Sequence, residues 1–170
     1  MHRVAILPLV IASACALNGP ARPTSPFPVA TDDDVRAARV SQRVNPYYSQ
    51  FDLSRADSAE KLYHLAVDVY EDHGDIALAS RLITRALVLG KEDPWFYHDF
   101  ASFLTYSGYD RRGVIAYVHS RWPGECWAYD AEARDLVALG RTAEAAEVRK
   151  RGRALASSKD ATCYAHLGPA

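Results

Sequence analysis

Between Leu62 and Leu155 the chain repeats one pattern three times. Leu62-Tyr63-His64-Leu65-Ala66 leads to Tyr70, Gly74, Ala79, Ile83 and Ala86. Phe96-Tyr97-His98-Asp99-Phe100-Ala101 leads to Leu104, Gly108, Gly113, Tyr117 and Ser120. Tyr129-Asp130-Ala131-Glu132-Ala133 leads to Leu136, Gly140, Ala145, Arg149 and Gly152. The anchoring glycines Gly74, Gly108 and Gly140 stand 34 and then 32 residues apart. A period near 34, with two helical halves around a central glycine, predicts an all-α array of helix-turn-helix units. One such unit cannot bury its apolar face alone, and three is about the smallest number that closes a core.

Local signals place the helices. Asp57 and Glu60 have capping-box spacing, and the helix behind them runs to about Asp72. Leu62, Leu65, Ala66, Val69 and Tyr70 recur on one face of it. His73-Gly74-Asp75 is a turn, and a second helix runs from about Ile76 to Leu89 and stops at Gly90. Asp93 caps the next helix and Pro94 suits its first position. That helix reaches about Tyr106, turns at Gly108, and returns from Asp110 to about Arg121 before Pro123-Gly124 breaks the chain. The last pair spans about Glu125 to Leu139 and Ala143 to Leu155, with Thr142 as its cap. Further upstream, Thr31 caps a short helix opened by three acids, with Val35, Ala38 and Gln42 on one face and Asn45-Pro46 as its end. Tyr47, Tyr48 and Phe51 follow, to pack on the first unit or, alternatively, to form an exposed aromatic clamp.

These residues resemble the tetratricopeptide repeat. Tyr63, Tyr97 and Tyr129 match its large residue early in helix A, and Tyr70, Leu104 and Leu136 match the residue late in it. Ala79, Gly113 and Ala145 match the small position where helix B crosses its partner, and Ala86, Ser120 and Gly152 match the next one. The first two copies fit best. Glu132 and Arg149 put polar residues where the family has apolar ones, as suits a terminal repeat. The resemblance implies an α-solenoid over residues 58–155, with repeats at 58–91, 93–122 and 125–155. Residues 31–57 then form an N-terminal extension and 156–170 a tail that covers the exposed end through Cys163, Tyr164 and Leu167.

The same resemblance implies binding rather than catalysis, along a concave surface lined by the A helices. Its ligand-facing positions fall on Lys61, His64, Asp68 and Asp72, then on Trp95, His98, Ser102 and Tyr106, then on Trp127, Asp130 and Arg134. Two tryptophans and a tyrosine make a hot-spot cluster for a protein or peptide segment lying in the groove. The alternative is that Trp95 and Trp127 only cover the links between repeats.

The N-terminus points to export. Met1-His2-Arg3 precedes an apolar run, Val4 to Ile11, that is too short to span a bilayer, and Ala12-Ser13-Ala14 supplies small residues for cleavage of a signal over residues 1–14. Ile11-Ala12-Ser13-Ala14-Cys15 resembles the bacterial lipobox, although Ala12 stands where leucine is usual. That resemblance implies acylation of Cys15, a membrane anchor and, because Ala16 follows, delivery to the outer membrane facing the periplasm. Simple cleavage after Ala14 is the alternative. Residues 15–30, with Pro20, Pro23, Pro26 and Pro28, read as an extended spacer. Two cysteines then remain, Cys126 and Cys163, and an oxidising compartment favours their pairing.

A formal charge of −1 gives no basic excess for phosphate neutralisation, so nucleic acid is not an expected partner. No phosphate loop, nucleophile elbow or His-Glu-x-x-His pattern occurs, and neither enzyme activity nor a cofactor is expected. The competing reading is a small metal-binding or hydrolytic protein using His64, Asp68 and His98. Self-association of the repeats is a third.

Overall fold

Helices form where caps and apolar stripes predict them. In the computed structural model, which describes residues 20–41, 57–155 and Leu167, the described residues are all-helical with no strand. They form α1 (Asp32–Ser41), α2 (Ser58–His73), α3 (Ile76–Val88), α4 (Pro94–Tyr106), α5 (Arg112–Arg121), α6 (Cys126–Ala138) and α7 (Thr142–Leu155). Asp57 accepts from the Glu60 amide at 2.7 Å and Asp93 from the Phe96 amide at 2.9 Å, so both expected caps are made. Asp75 does the same for α3, accepting from Leu78 at 2.9 Å. Thr142 is the first residue of α7 rather than its cap. The turn glycines Gly74, Gly108 and Gly140 have φ of 64°, 76° and 74°, left-handed values that cost a residue with a Cβ.

The core centres on α4. Phe96, Tyr97 and Phe100 are fully buried and Phe103 nearly so. Tyr63 and Tyr70 of α2 meet Phe96 and Phe103 edge-on at 5.6 and 5.2 Å, so α2 lies beside α4. α2 packs closely along α3, and α6 along α7. A second cluster joins Cys126, Tyr129 and Ala133 of α6 to Ala145 and Val148 of α7, and the buried Leu167 closes it. That placement matches the covering role expected of Leu167; Cys163 and Tyr164 lie outside the described residues, as do Gln42, Tyr47, Tyr48 and Phe51. Cys126 is disulfide-bonded.

The middle pair also departs from the repeat spacing. α3 and α7 begin two residues after their turn glycines, whereas α5 begins four after Gly108. The longer turn, Tyr109-Asp110-Arg111, carries the buried face of α5 to Val114, Ile115 and Val118. Gly113 and Ser120 are therefore exposed, and a Cβ on Gly113 would touch nothing within 4 Å. The expectation that they mark the helix crossing is corrected. Ala79, Ala86 and Ala145 do sit buried at the crossings of the outer pairs. Gly152 is the tightest case: a Cβ there would stand 2.8 Å from Tyr129 Cβ.

Residues 20–31 are not a free spacer. They form neither helix nor strand, as their prolines require, but they strap across the helices. Arg22 donates to the Tyr97 hydroxyl at 3.0 Å and pairs with Glu92 at 3.2 Å. Ser25 and Thr84 share a hydrogen bond of 2.6 Å. Phe27 meets Tyr109 edge-on at 5.2 Å, and the Ala30 amide donates to the Arg81 carbonyl at 3.1 Å. The strap then enters α1, where Thr31 and Asp34 cap one another. Asp34 pairs with Arg81 at 2.9 Å, and this hydrogen bond, with that from the Thr31 amide, holds its carboxyl down to about 2. No described helix is long and apolar enough to cross a membrane.

The two α-helical glycines separate packing from pattern. Gly152→Ala should lower stability by about 1–3 kcal/mol, because Tyr129 and Leu167 must move to admit the methyl group. Gly113→Ala, at an open helical site, should leave stability unchanged or raise it by up to about 1 kcal/mol. Denaturant midpoints of the two variants check this; equal losses would mean that α5 packs at Gly113 after all.

Candidate ligand groove

Helix spacing puts Trp95, His98, Ser102 and Tyr106 on one side of α4, and Trp127, Asp130 and Arg134 on the facing side of α6. All seven line one open cleft of about 620 Å³. Trp95 is 62% exposed and Tyr106 57%, unusual for large aromatics that the core does not need. Trp95 and Trp127 each meet the His98 ring in an edge-on arrangement, at 5.6 and 5.2 Å. Tyr106 stacks on Tyr70 at 5.7 Å at the far end. Trp127 is half-buried against the core, so it both seals the α4–α6 seam and walls the cleft. Its Nε1–H is buried and has no hydrogen-bond partner among the described residues.

Polar side chains hold this wall in place. Asp99 takes His98 Nδ1 at 2.9 Å on one oxygen and the Tyr63 hydroxyl at 2.8 Å on the other. Burial, then the neighbouring Asp99 carboxylate, pushes the Tyr63 hydroxyl well above its usual value, so it stays a donor. Ser102 donates back to the His98 carbonyl at 3.0 Å. Asp130, 6% exposed, pairs with Arg134 one turn on. Arg111 grips Asp135 with two nitrogens, at 3.0 and 2.7 Å, and reaches the Ala131 carbonyl at 3.3 Å. The cleft therefore offers aromatic faces and the Asp130–Arg134 ion pair.

The first repeat does not contribute as expected. Lys61 lies in a different cleft, with Val35 and Arg39 of α1. His64 bonds Glu60 at 2.9 Å along its own helix. Asp68 is only 2% exposed and is a buried group rather than a groove residue, while Asp72 is exposed at the end of α2. Among the described residues no group of three or more His, Cys, Asp or Glu stands close enough to hold a metal ion, so His64, Asp68 and His98 are not assembled into a ligand set. Cys15 lies outside the described residues. Arg111 and Glu125 line the cleft without having been expected there. Arg111 gets its place from the longer α4–α5 turn, which the repeat pattern does not encode.

Comparison with family models, with curated proteins and with solved structures yields no match.

Tyr63→Phe should cost about 1 kcal/mol in stability, since Asp99 loses one of two donors. Denaturant unfolding checks it. An unchanged midpoint would mean that this bond does not tie α2 to α4.

Proposed function

We propose that this chain is an exported, lipid-anchored interaction module, a three-repeat tetratricopeptide-like solenoid that holds a peptide or protein segment in the cleft between α4 and α6. The observation that carries the reading is that seven of the eleven groove positions implied by the tetratricopeptide resemblance line one aromatic cleft. Exposed Trp95 and Tyr106 provide area at low conformational cost. The left-handed turn glycines and the buried alanines shared by α2–α3 and α6–α7 support the solenoid reading. The reading assigns no chemistry to the cleft, and it places the module in the cell envelope through Cys15.

The groove is tested by capture from envelope extract, with the natural chain beside a variant carrying Trp95→Ala, His98→Ala and Tyr106→Ala of equal helicity. A protein held by the first and lost by the second is the expected result. A protein held equally by both would move the binding surface elsewhere. The anchor has its own test: incorporation of labelled fatty acid should occur in the natural chain and vanish in Cys15→Ser, whereas a soluble, unlabelled natural chain would replace acylation by simple cleavage.

A further inference from the structure

His98 stands in the wall of the α4–α6 cleft with one ring nitrogen engaged. Its Nδ1 meets one oxygen of Asp99 at 2.9 Å, and the other oxygen takes the Tyr63 hydroxyl at 2.8 Å. A carboxylate has no proton to give, so the hydrogen of the first bond sits on Nδ1. The neutral ring then carries a lone pair on Nε2. That Nε2 has no hydrogen-bond partner among the described residues. The side chain is 39% exposed and lines the cleft, with Trp95 and Trp127 edge-on to it. His64 and His119 are arranged the other way. Each spends Nε2 on a carboxylate, that of Glu60 at 2.9 Å and that of Glu132 at 3.0 Å. Other polar groups of the cleft are turned inward: Ser102 and Thr105 donate to the carbonyls of His98 and Ala101, and Asp130 pairs with Arg134.

We infer that His98 is the specificity-determining residue of this cleft, an acceptor that takes an amide N–H or hydroxyl of the docked segment through Nε2, with Asp99 and Tyr63 as its positioning residues. The inference rests on the reading of the cleft as a peptide groove. Asp99 fixes the tautomer, and its bond to Tyr63 ties that carboxylate to α2, so the ring is set before a segment arrives. A segment that brings a carbonyl or carboxylate to the same place sets lone pair against lone pair and leaves its own polar group unpaired. Trp95 and Tyr106 supply contact area without regard to such detail, whereas His98 reads it.

Nitrogen-resolved NMR of the imidazoles in the full chain, above the ordinary titration range of histidine, reads the tautomer directly. His98 should carry its proton on Nδ1, and Asp99→Ala should shift the population toward Nε2–H. A natural chain with the proton mainly on Nε2 overturns the inference. Binding is probed with a library of random peptides selected on the natural chain. The selected peptides should bind Trp95→Ala more weakly. They should bind at least about tenfold more weakly to His98→Phe, which keeps a ring and loses the acceptor. Affinity for His98→Gln should stay within about threefold, because its side-chain carbonyl restores an acceptor. Equal losses in His98→Phe and His98→Gln overturn the inference, since the ring's shape would then be what is read. Peptides lost with Trp95→Ala but indifferent to His98→Phe overturn it as well and leave the groove reading standing. A library that yields no binders, or only binders indifferent to Trp95→Ala, overturns both. Equal helicity of every variant separates loss of the acceptor from loss of the fold.

Discussion

Burial of α4 on several sides is the constraint that the other helices satisfy. A helix carrying Phe96, Tyr97, Phe100 and Phe103 has apolar side chains around most of its girth, and such a helix is stable only when neighbours cover it. α2 covers Phe96 and Phe103 through Tyr63 and Tyr70. α5 and the residue after it cover Tyr97 through Tyr117 and Trp122, at 5.1 and 5.7 Å. What remains exposed is the strip from Trp95 to Tyr106, and that strip lines the cleft facing α6. Core and site are two sides of one helix.

Single carboxylates tie the helices to one another at the seams. Glu92 receives Arg22 of the strap, Tyr97 of α4 and Tyr117 of α5. Asp99 joins α2 to the His98 ring. Glu132 of α6 receives His119 of α5 at 3.0 Å and Arg151 of α7 at 3.4 Å. Burial pulls the His119 imidazole below its ordinary value of 6.5, against the opposing pull of Glu132. Each node counts donors from two or three elements, so a slip of one helix leaves a half-buried carboxylate short of partners. Such networks favour one stacking geometry more than they add stability.

Much of this was legible in sequence because its causes are local. Caps at Asp57 and Asp93, the left-handed turn at Gly74 and the apolar stripe of α2 each depend on residues within one or two turns. The groove positions on α4 and α6 came from the tetratricopeptide resemblance, and α4 starts where the Asp93 cap and Pro94 put it. The failures arise where distance along the chain matters. Two extra residues after Gly108 rotate the buried face of α5, so Gly113 and Ser120 fall outside while the identical spacing works at Ala145 and Gly152. The prolines of residues 20–30 exclude helix and sheet interior correctly, but composition cannot say that Ser25 will find Thr84, 59 residues away. Asp68 looks like a groove residue by register and is buried, because register says nothing of what else lies against α2.

The docked strap also sets a length. With residues from Arg22 onward fastened to the helices, the anchored reading leaves only a short leader between Cys15 and the body. Seven residues fully extended reach no more than about 25 Å, little beyond the width of two packed helices at roughly 10 Å each. On the anchored reading, a tether of this length would hold the helical body close against the lipid headgroups.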